Sequence, residues 1–218
     1  MTLHVDLYYT MRSPYCYLST PQLETLAAEY DVEIHLKPVY PLALSDSTFF
    51  ERVNPLWPPY VFKDTTRIAE RLGIPFHWPR PDPIVQDMET RKVSTEQPYI
   101  RRLTRLAQVA AENGQGLDYV IAASGVLFNP EIDGWHTGSH LEDALARKGM
   151  VLSELEKVVD SEAEHLDATI YSNREAQLAA GHWGAPLFVF EGEIFFGQDR
   201  IEDLTWLLKK NGLSLRAG

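Results

Sequence analysis

Residues 5–30 constrain the fold most, because they predict a strand, a tight turn and a helix in direct succession. Residues 5–9 are apolar and rich in β-forming types, and apolar residues at helical spacing follow the turn. Ser13 stands where a helix N-cap belongs, and Pro14 occupies the first helical position. The turn therefore lies at the positive end of a helix, where backbone N–H groups stabilise a thiolate or another anion.

The composition of the chain limits the kinds of molecule that it is expected to bind. The chain has 218 residues, of which 44% are apolar, and such a chain can bury a large core in one elaborated domain or two small ones. Its 20 basic residues against 31 acidic ones give a net charge of −11, which disfavours a nucleic-acid partner. It contains neither a membrane-length apolar run nor a signal-like start, so we expect no membrane partner and a cytoplasmic location rich in reduced glutathione.

Cys16 is the only cysteine, so the sequence predicts no internal disulfide and no cysteine-based metal site. It follows Ser13 by three positions, where the resolving cysteine of a Cys-x-x-Cys pair would stand, but the first cysteine is missing. We interpret it as a buried, inert thiol, with a redox role as the open alternative. His136 and His140 are four residues apart, but a Gly-Ser pair interrupts any helix there, so we predict no metal site.

The order of the remaining elements predicts an α/β fold. Residues 32–39 alternate between polar and apolar types and predict a second strand. Residues 186–190 and 194–196 predict a hairpin, and residues 199–209 predict a last helix. Between the two groups the pattern is helical, with candidate helices at 60–72, 97–113, 116–128, 139–148, 153–159 and 161–180.

This β-α-β … β-β-α order is thioredoxin-like, with a large all-helical domain inserted in it. The predicted boundaries assign residues 1–40 and 181–218 to the thioredoxin-like domain and residues 41–180 to the insertion. Ser153 and Asp199 are each followed three residues later by Glu, which predicts a capping box at each helix start.

Three segments, in this order, carry a family resemblance. They are Ser-Pro-Tyr-Cys at 13–16, Trp-Gly-Ala-Pro-Leu-Phe-Val at 183–189 and Phe-Gly-Gln-Asp-Arg-Ile at 196–201. With them the chain resembles the 2-hydroxychromene-2-carboxylate isomerases and the kappa-class glutathione transferases of the DsbA-like thioredoxin superfamily. The resemblance covers nearly the whole chain, and it implies glutathione as cofactor and a homodimer as a plausible assembly.

The resemblance also implies roles for individual residues. Ser13 matches the catalytic serine that contacts the glutathione sulfur. Ala185 matches the residue whose backbone pairs with the cysteinyl part of glutathione, and Pro186 matches a cis-proline that faces the site. A serine at this position would stabilise the thiolate by a hydrogen bond and would not itself attack the substrate.

Further positions match the other end of glutathione and the neighbourhood of the site. Gln198 and Asp199 match residues that hold the γ-glutamyl group, and Asn54 matches an asparagine near the site.

The chain departs from the family pattern at two places. Cys16 replaces a usual serine, and Pro58-Pro59 occupies the region where kappa transferases carry a lysine.

The leading hypothesis is a glutathione-dependent isomerase for a small aromatic, chromene-type carboxylate. The glutathione thiolate would add reversibly to an unsaturated carbon, allow rotation about the former double bond, and leave. The aromatic residues that could line the substrate pocket are Tyr40, Trp57, Tyr60 and Phe62. His182, which precedes the proline loop, could also face the substrate. The alternatives are a kappa-like glutathione transferase, a DsbA-like thiol–disulfide oxidoreductase using Cys16, and a non-catalytic peptide-binding module.

Overall fold

A mixed sheet forms the centre of the molecule. The computed structural model describes residues 2–46, 48–87, 89–90 and 92–216. Within these residues, four strands make one sheet: β1 (Leu3–Tyr9), β2 (Val32–Pro38), β3 (Leu187–Phe190) and β4 (Glu193–Phe196). Their order is β2-β1-β3-β4, with β1 parallel to β2 and antiparallel to β3. This is the thioredoxin-like α/β fold that the sequence predicts.

The helices lie between and after the strands. Helix α1 (Pro14–Glu29) connects β1 to β2, and a 3₁₀ turn at Gln198–Arg200 leads into α9 (Ile201–Lys210). The helices between β2 and β3 are α2 (Leu42–Ser45), α3 (Phe49–Arg52), α4 (Trp57–Leu72), α5 (Pro98–Glu112), α6 (Gly116–Leu127), α7 (His140–Ala146) and α8 (Leu152–Ala179). None of the described helices combines the length and the apolar character that crossing a bilayer requires.

Helix α1 begins as its sequence predicts and tolerates an internal proline. Ser13 has the extended backbone of an N-cap, and its Oγ accepts a hydrogen bond from the Cys16 N–H at 3.3 Å. Pro21 has no N–H to donate to the Tyr17 carbonyl one turn earlier. The Thr20 hydroxyl donates to that carbonyl instead, at 2.8 Å. The carbonyl keeps a partner, and the helix continues without interruption to Glu29.

One hydrophobic core joins the sheet to the intervening helices. Val5, Leu7 and Tyr9 alternate along β1 and point into a cluster that also contains buried residues of α1, α5, α6, α7 and α8. The Tyr9 hydroxyl forms a 2.6 Å hydrogen bond with the Ser124 Oγ of α6, and both side chains are buried. The insertion at residues 41–180 therefore packs on the sheet, and its description as a separate domain stays a proposal based on chain order.

Two local predictions are wrong, the start of one helix and the pair of capping boxes. Helix α4 begins at Trp57 and not at residue 60, because prolines fit the first turn, where no N–H is needed. The two helices predicted at 153–159 and 161–180 run end to end as α8, and the non-helical angles at Glu162 put a kink close to the predicted break. Neither capping box forms: Ser153 is already inside α8, and Asp199 lies in the 3₁₀ turn before α9.

Removing the hydroxyl of Tyr9 should reveal how strongly the sheet is tied to α6. Tyr9→Phe leaves the buried Ser124 hydroxyl without its partner, so we expect the free energy of unfolding to fall by about 1–3 kcal/mol. Ser124→Ala should cost a similar amount by leaving the tyrosine hydroxyl unpaired. Urea unfolding of both variants and of the double variant measures the coupling.

The double variant should lose clearly less than the sum of the two single losses, since it leaves neither hydroxyl buried alone. Tyr171→Phe is the matched control, because Tyr171 is 48% exposed, and it should change stability by less than about 0.5 kcal/mol. Simple additivity of the two core substitutions would contradict the proposed pairing.

Candidate active site

A cavity of about 1860 Å³ opens at the N-terminus of α1, between the two ends of the chain and the helical segment. Six residues that the sequence analysis singled out line it together: Ser13, Asn54, Ala185, Pro186, Gln198 and Asp199. The sheet explains why Ser13 and Pro186 lie at the same cavity. Strand β1 leads into Ser13 and pairs with β3, which begins directly after Pro186.

Ser13 combines two properties that suit a bound anion. Its Oγ accepts from the Cys16 N–H, and its hydroxyl also lies within hydrogen-bonding reach of the buried Cys16 thiol. It also stands at the N-cap of α1, a helix of 16 residues, where the backbone dipoles favour negative charge. Because Ser13 also lines the cavity, rotation of its hydroxyl away from the thiol would let it donate to an anion there.

The segment before β3 is held rigidly around Ala185. The Ala185–Pro186 peptide bond is cis. The Gly184 carbonyl accepts from the buried Gln177 side chain at 2.6 Å, and the Pro186 carbonyl accepts from the Gly197 N–H at 3.0 Å. No hydrogen bond within the described residues uses the backbone of Ala185. Its N–H and C=O are therefore the groups of this segment that could pair with an extended peptide, as an added strand would.

Three buried polar atoms at the cavity have no hydrogen-bond partner among the described residues: Thr10 Oγ1, Trp78 Nε1 and Gln198 Oε1. An unpaired buried polar group costs about 1–3 kcal/mol, so such atoms in a native protein need an explanation. A ligand that offers a donor to Gln198 Oε1 would remove that cost. Gln198 is 4% exposed and held in the 3₁₀ turn, so its position is well defined.

These residues fit glutathione. The glutathione thiolate needs a donor that stabilises an anion, and its extended backbone needs a protein backbone with which to pair. Its γ-glutamyl ammonium group needs a hydrogen-bond acceptor. Ser13, Ala185 and Gln198 all line one cavity, and they carry a hydroxyl donor, backbone groups without a partner among the described residues, and a buried acceptor that a small rotation of its amide would bring to a ligand.

The other two positions matched to glutathione are already engaged with neighbours. The Asp199 carboxylate forms an ion pair with Arg200 at 3.1 Å and leans over Gly197, where an added Cβ would lie 2.6 Å from Asp199 Oδ1. Gly197 also has φ +110°, a value that favours glycine. Asn54 Oδ1 accepts from the Leu56 N–H at 3.0 Å in a local turn, which leaves its NH₂ group for the cavity.

Cys16 lies behind the site and does not line the cavity. The side chain is fully buried, and desolvation raises the pKa of its thiol to about 12, against a smaller lowering by hydrogen bonds from Thr10 and Ser13. The thiolate is the reactive form of cysteine. The geometry therefore agrees with an inert thiol and gives the redox alternative no accessible nucleophile.

Aromatic residues of the helical segment form one wall of the cavity, here called the aromatic wall. Tyr40, Trp57, Tyr60 and Phe62 all line the cavity, and the last three are at least 44% exposed. Phe62 packs against Trp78 with ring centroids 4.3 Å apart. His182 is not among the lining residues, because its Nδ1 accepts from the Gly184 N–H and its ring stacks on Phe196.

The structure adds residues that the sequence did not single out. The Tyr15 hydroxyl donates to Asp64 Oδ2 at 2.9 Å and so ties α1 to α4 across the cavity floor. Burial and then this hydrogen bond raise the pKa of the Tyr15 phenol, which keeps it protonated. Arg12 forms a two-point ion pair with Asp82, at 2.8 and 3.2 Å. Tyr15 and Arg12 adjoin the Ser13 motif, but their partners are distant in sequence and carry no recognisable signal.

Comparison with known proteins agrees with this architecture. Residues 4–209 match the family model of the DsbA-like thioredoxin domain. Among solved structures, a 2-hydroxychromene-2-carboxylate isomerase superposes with a TM-score of 0.69 at 20% identity, covering 95% of each chain. The cytosolic disulfide reductase DsbM from Pseudomonas aeruginosa, whose structure with GSH is also known, gives 0.61 at 16% identity over 96% of this chain and 98% of its own.

A probable DsbA oxidoreductase from Streptomyces coelicolor gives a TM-score of 0.64 at 17% identity over 95% of this chain and 89% of its own. The comparison with curated protein sequences finds no match. At these identities the structural neighbours establish the fold alone. The family model, which spans almost the whole chain, establishes the family: this protein belongs to the DsbA-like thioredoxin domain family.

Proposed function

We propose that the protein is a glutathione-dependent isomerase of a small aromatic carboxylate of the 2-hydroxychromene-2-carboxylate type. One observation carries the proposal: a serine, and not a cysteine, stands at the α1 N-cap and shares one cavity with Ala185 and the unpaired Gln198 oxygen. The likeness to the solved isomerase and the GSH-bound form of DsbM supports it.

Each part of the site has a distinct task in this proposal. Ser13 donates its hydroxyl hydrogen bond to the glutathione sulfur, and the helix N-terminus adds electrostatic support for the charged form. Ala185 pairs with the peptide backbone, and Gln198 Oε1 accepts from the γ-glutamyl ammonium group. When bound, glutathione would supply the nucleophilic thiolate for reversible addition to the substrate.

In this proposal the aromatic wall provides the binding surface for the substrate. Trp57, Tyr60 and Phe62 present exposed ring surface to the cavity, against which a flat aromatic substrate can stack. No net oxidation accompanies an isomerisation, so the buried Cys16 has no part in it. We also propose a cytoplasmic location, because the cofactor is kept reduced and abundant there.

Ser13→Ala should lower glutathione-dependent turnover of 2-hydroxychromene-2-carboxylate by roughly 10²–10³-fold, the usual cost of removing one donor from a developing or bound anion. Ser139→Ala is the matched control, since Ser139 is exposed on the approach to α7 and bonds only to Asp143. Kinetics with varied glutathione check the prediction, and turnover that is unchanged in Ser13→Ala would overturn it.

The fate of glutathione separates isomerisation from the transferase alternative. Isomerisation should leave the concentration of free glutathione constant while the substrate spectrum changes, whereas conjugation should consume one glutathione for each product. Thiol titration during turnover measures this difference. Stoichiometric loss of glutathione would replace the isomerase proposal by a kappa-like transferase.

Gln198→Leu should weaken glutathione binding by about tenfold or more, because one charge-assisted hydrogen bond to the ammonium group is lost. Calorimetric titration with glutathione measures the change. Gln115→Leu provides the comparison, since the Gln115 side chain makes no capping hydrogen bond and lies outside the cavity. Equal affinity in the two variants would show that the ammonium group is bound elsewhere.

Cys16 should react very slowly with iodoacetamide in the folded protein. Burial raises the pKa of the thiol to about 12, so it stays protonated at pH 8, and the side chain is inaccessible. The rate should rise to that of an ordinary thiol in denaturing urea. Fast labelling of the folded protein, or a mixed disulfide formed with oxidised glutathione, would restore the oxidoreductase alternative.

A further inference from the structure

A cluster of two histidines and a glutamate lies on the outer face of the sheet, away from the cavity. In the parallel register of β1 and β2, His4 stands opposite Glu33 and Asp6 stands opposite His35. Successive side chains of a strand point to opposite faces, so these four residues share the face opposite the buried Val5. The side chains of His4, Glu33 and His35 are each about half exposed, and ions in solution can reach them.

The donor atoms of the cluster lie close enough together to share one metal ion. Glu33 Oε2 lies 3.2 Å from His4 Nδ1 and 3.3 Å from His35 Nε2. One donor atom from each of the three side chains lies within 4.8 Å of the other two. Zinc bound at about 2.0 Å to tetrahedral ligands places those ligands roughly 3.3 Å apart. Two of the three separations thus match an edge of a zinc tetrahedron, and the third, between the two histidines, is at most 4.8 Å.

A second carboxylate supports one of the two histidines from behind. Asp6 Oδ1 lies 3.9 Å from His35 Nδ1, the ring nitrogen that would not face the metal. Histidine ligands commonly turn their second nitrogen towards such a carboxylate, which orients the ring and strengthens the ligand. Lys37 Nζ lies 4.0 Å from the same Asp6 oxygen and pairs with that carboxylate.

We propose that His4, Glu33 and His35 bind one zinc ion, with water completing the tetrahedron. Two imidazoles and one carboxylate match the ligand preference of Zn²⁺, and the net charge of −11 favours a cation at this face. His4 stands five residues before Tyr9, which is about 17 Å along an extended strand. The ion would therefore clip β1 to β2 and take no direct part in the chemistry near Ser13.

The test is calorimetric titration of the EDTA-treated, tag-free protein with zinc chloride in a buffer without thiols. The wild-type chain should bind one Zn²⁺ saturably, and its melting temperature should rise with zinc because the ion binds the folded strand pair. His4→Ala, Glu33→Gln and His35→Ala should each weaken binding at least about tenfold and abolish the thermal shift. All three side chains are exposed, so the variants should fold normally.

His165→Ala is the control, because His165 is exposed on α8 and outside the cluster, and it should bind zinc like the wild type. Absence of saturable binding in the wild type would overturn the proposal. Binding within threefold of wild type in any of the three ligand variants would overturn it too, since the cluster would then be only an imidazole–carboxylate contact. Neither result bears on the glutathione proposal, whose residues lie at the cavity.

Discussion

The pairing of β1 with β3 is the interaction on which the candidate site depends. It joins a strand near the start of the chain to one near its end, and their neighbouring ends deliver Ser13 and Pro186 to the same place. The helix N-terminus then supplies a fixed positive potential, and the segment held by Gln177 supplies free backbone groups. Serine at the N-cap, with the only cysteine buried beneath it, leaves this arrangement suited to holding a foreign thiolate.

The helical segment contributes a different kind of surface. Its helices share a hydrophobic core with the sheet, but several of its prolines and exposed aromatic residues line the cavity. Ser13, Ala185 and Gln198 come from the ends of the chain, and the aromatic lining comes from the middle. Under the proposed function, this division would let one cavity take both a peptide-like cofactor and a flat apolar compound.

Much of this could be predicted from local pattern. The N-cap at Ser13, the hairpin after Pro186 and most helix bounds follow from periodicity and turn chemistry, which act over a few residues. The partners of Tyr15 and Arg12 could not be predicted, because Asp64 and Asp82 reach them only through tertiary packing. His4 meets Glu33 and His35 only because of the register in which β1 pairs with β2. Residue spacing along one element does not reveal that register.

The two links at the cavity floor have a consequence for how such a site can change. Tyr15–Asp64 and Arg12–Asp82 each anchor a separate piece of the wall, α4 in one case and the 80–87 loop in the other, to the backbone around Ser13. Trp57 and Phe62 of α4 take no part in these hydrogen bonds, whereas the Tyr60 hydroxyl also donates to Asp64, at 3.4 Å. Under the proposed function, a preference for different ring systems can therefore change at Trp57 and Phe62 while both anchors stay in place.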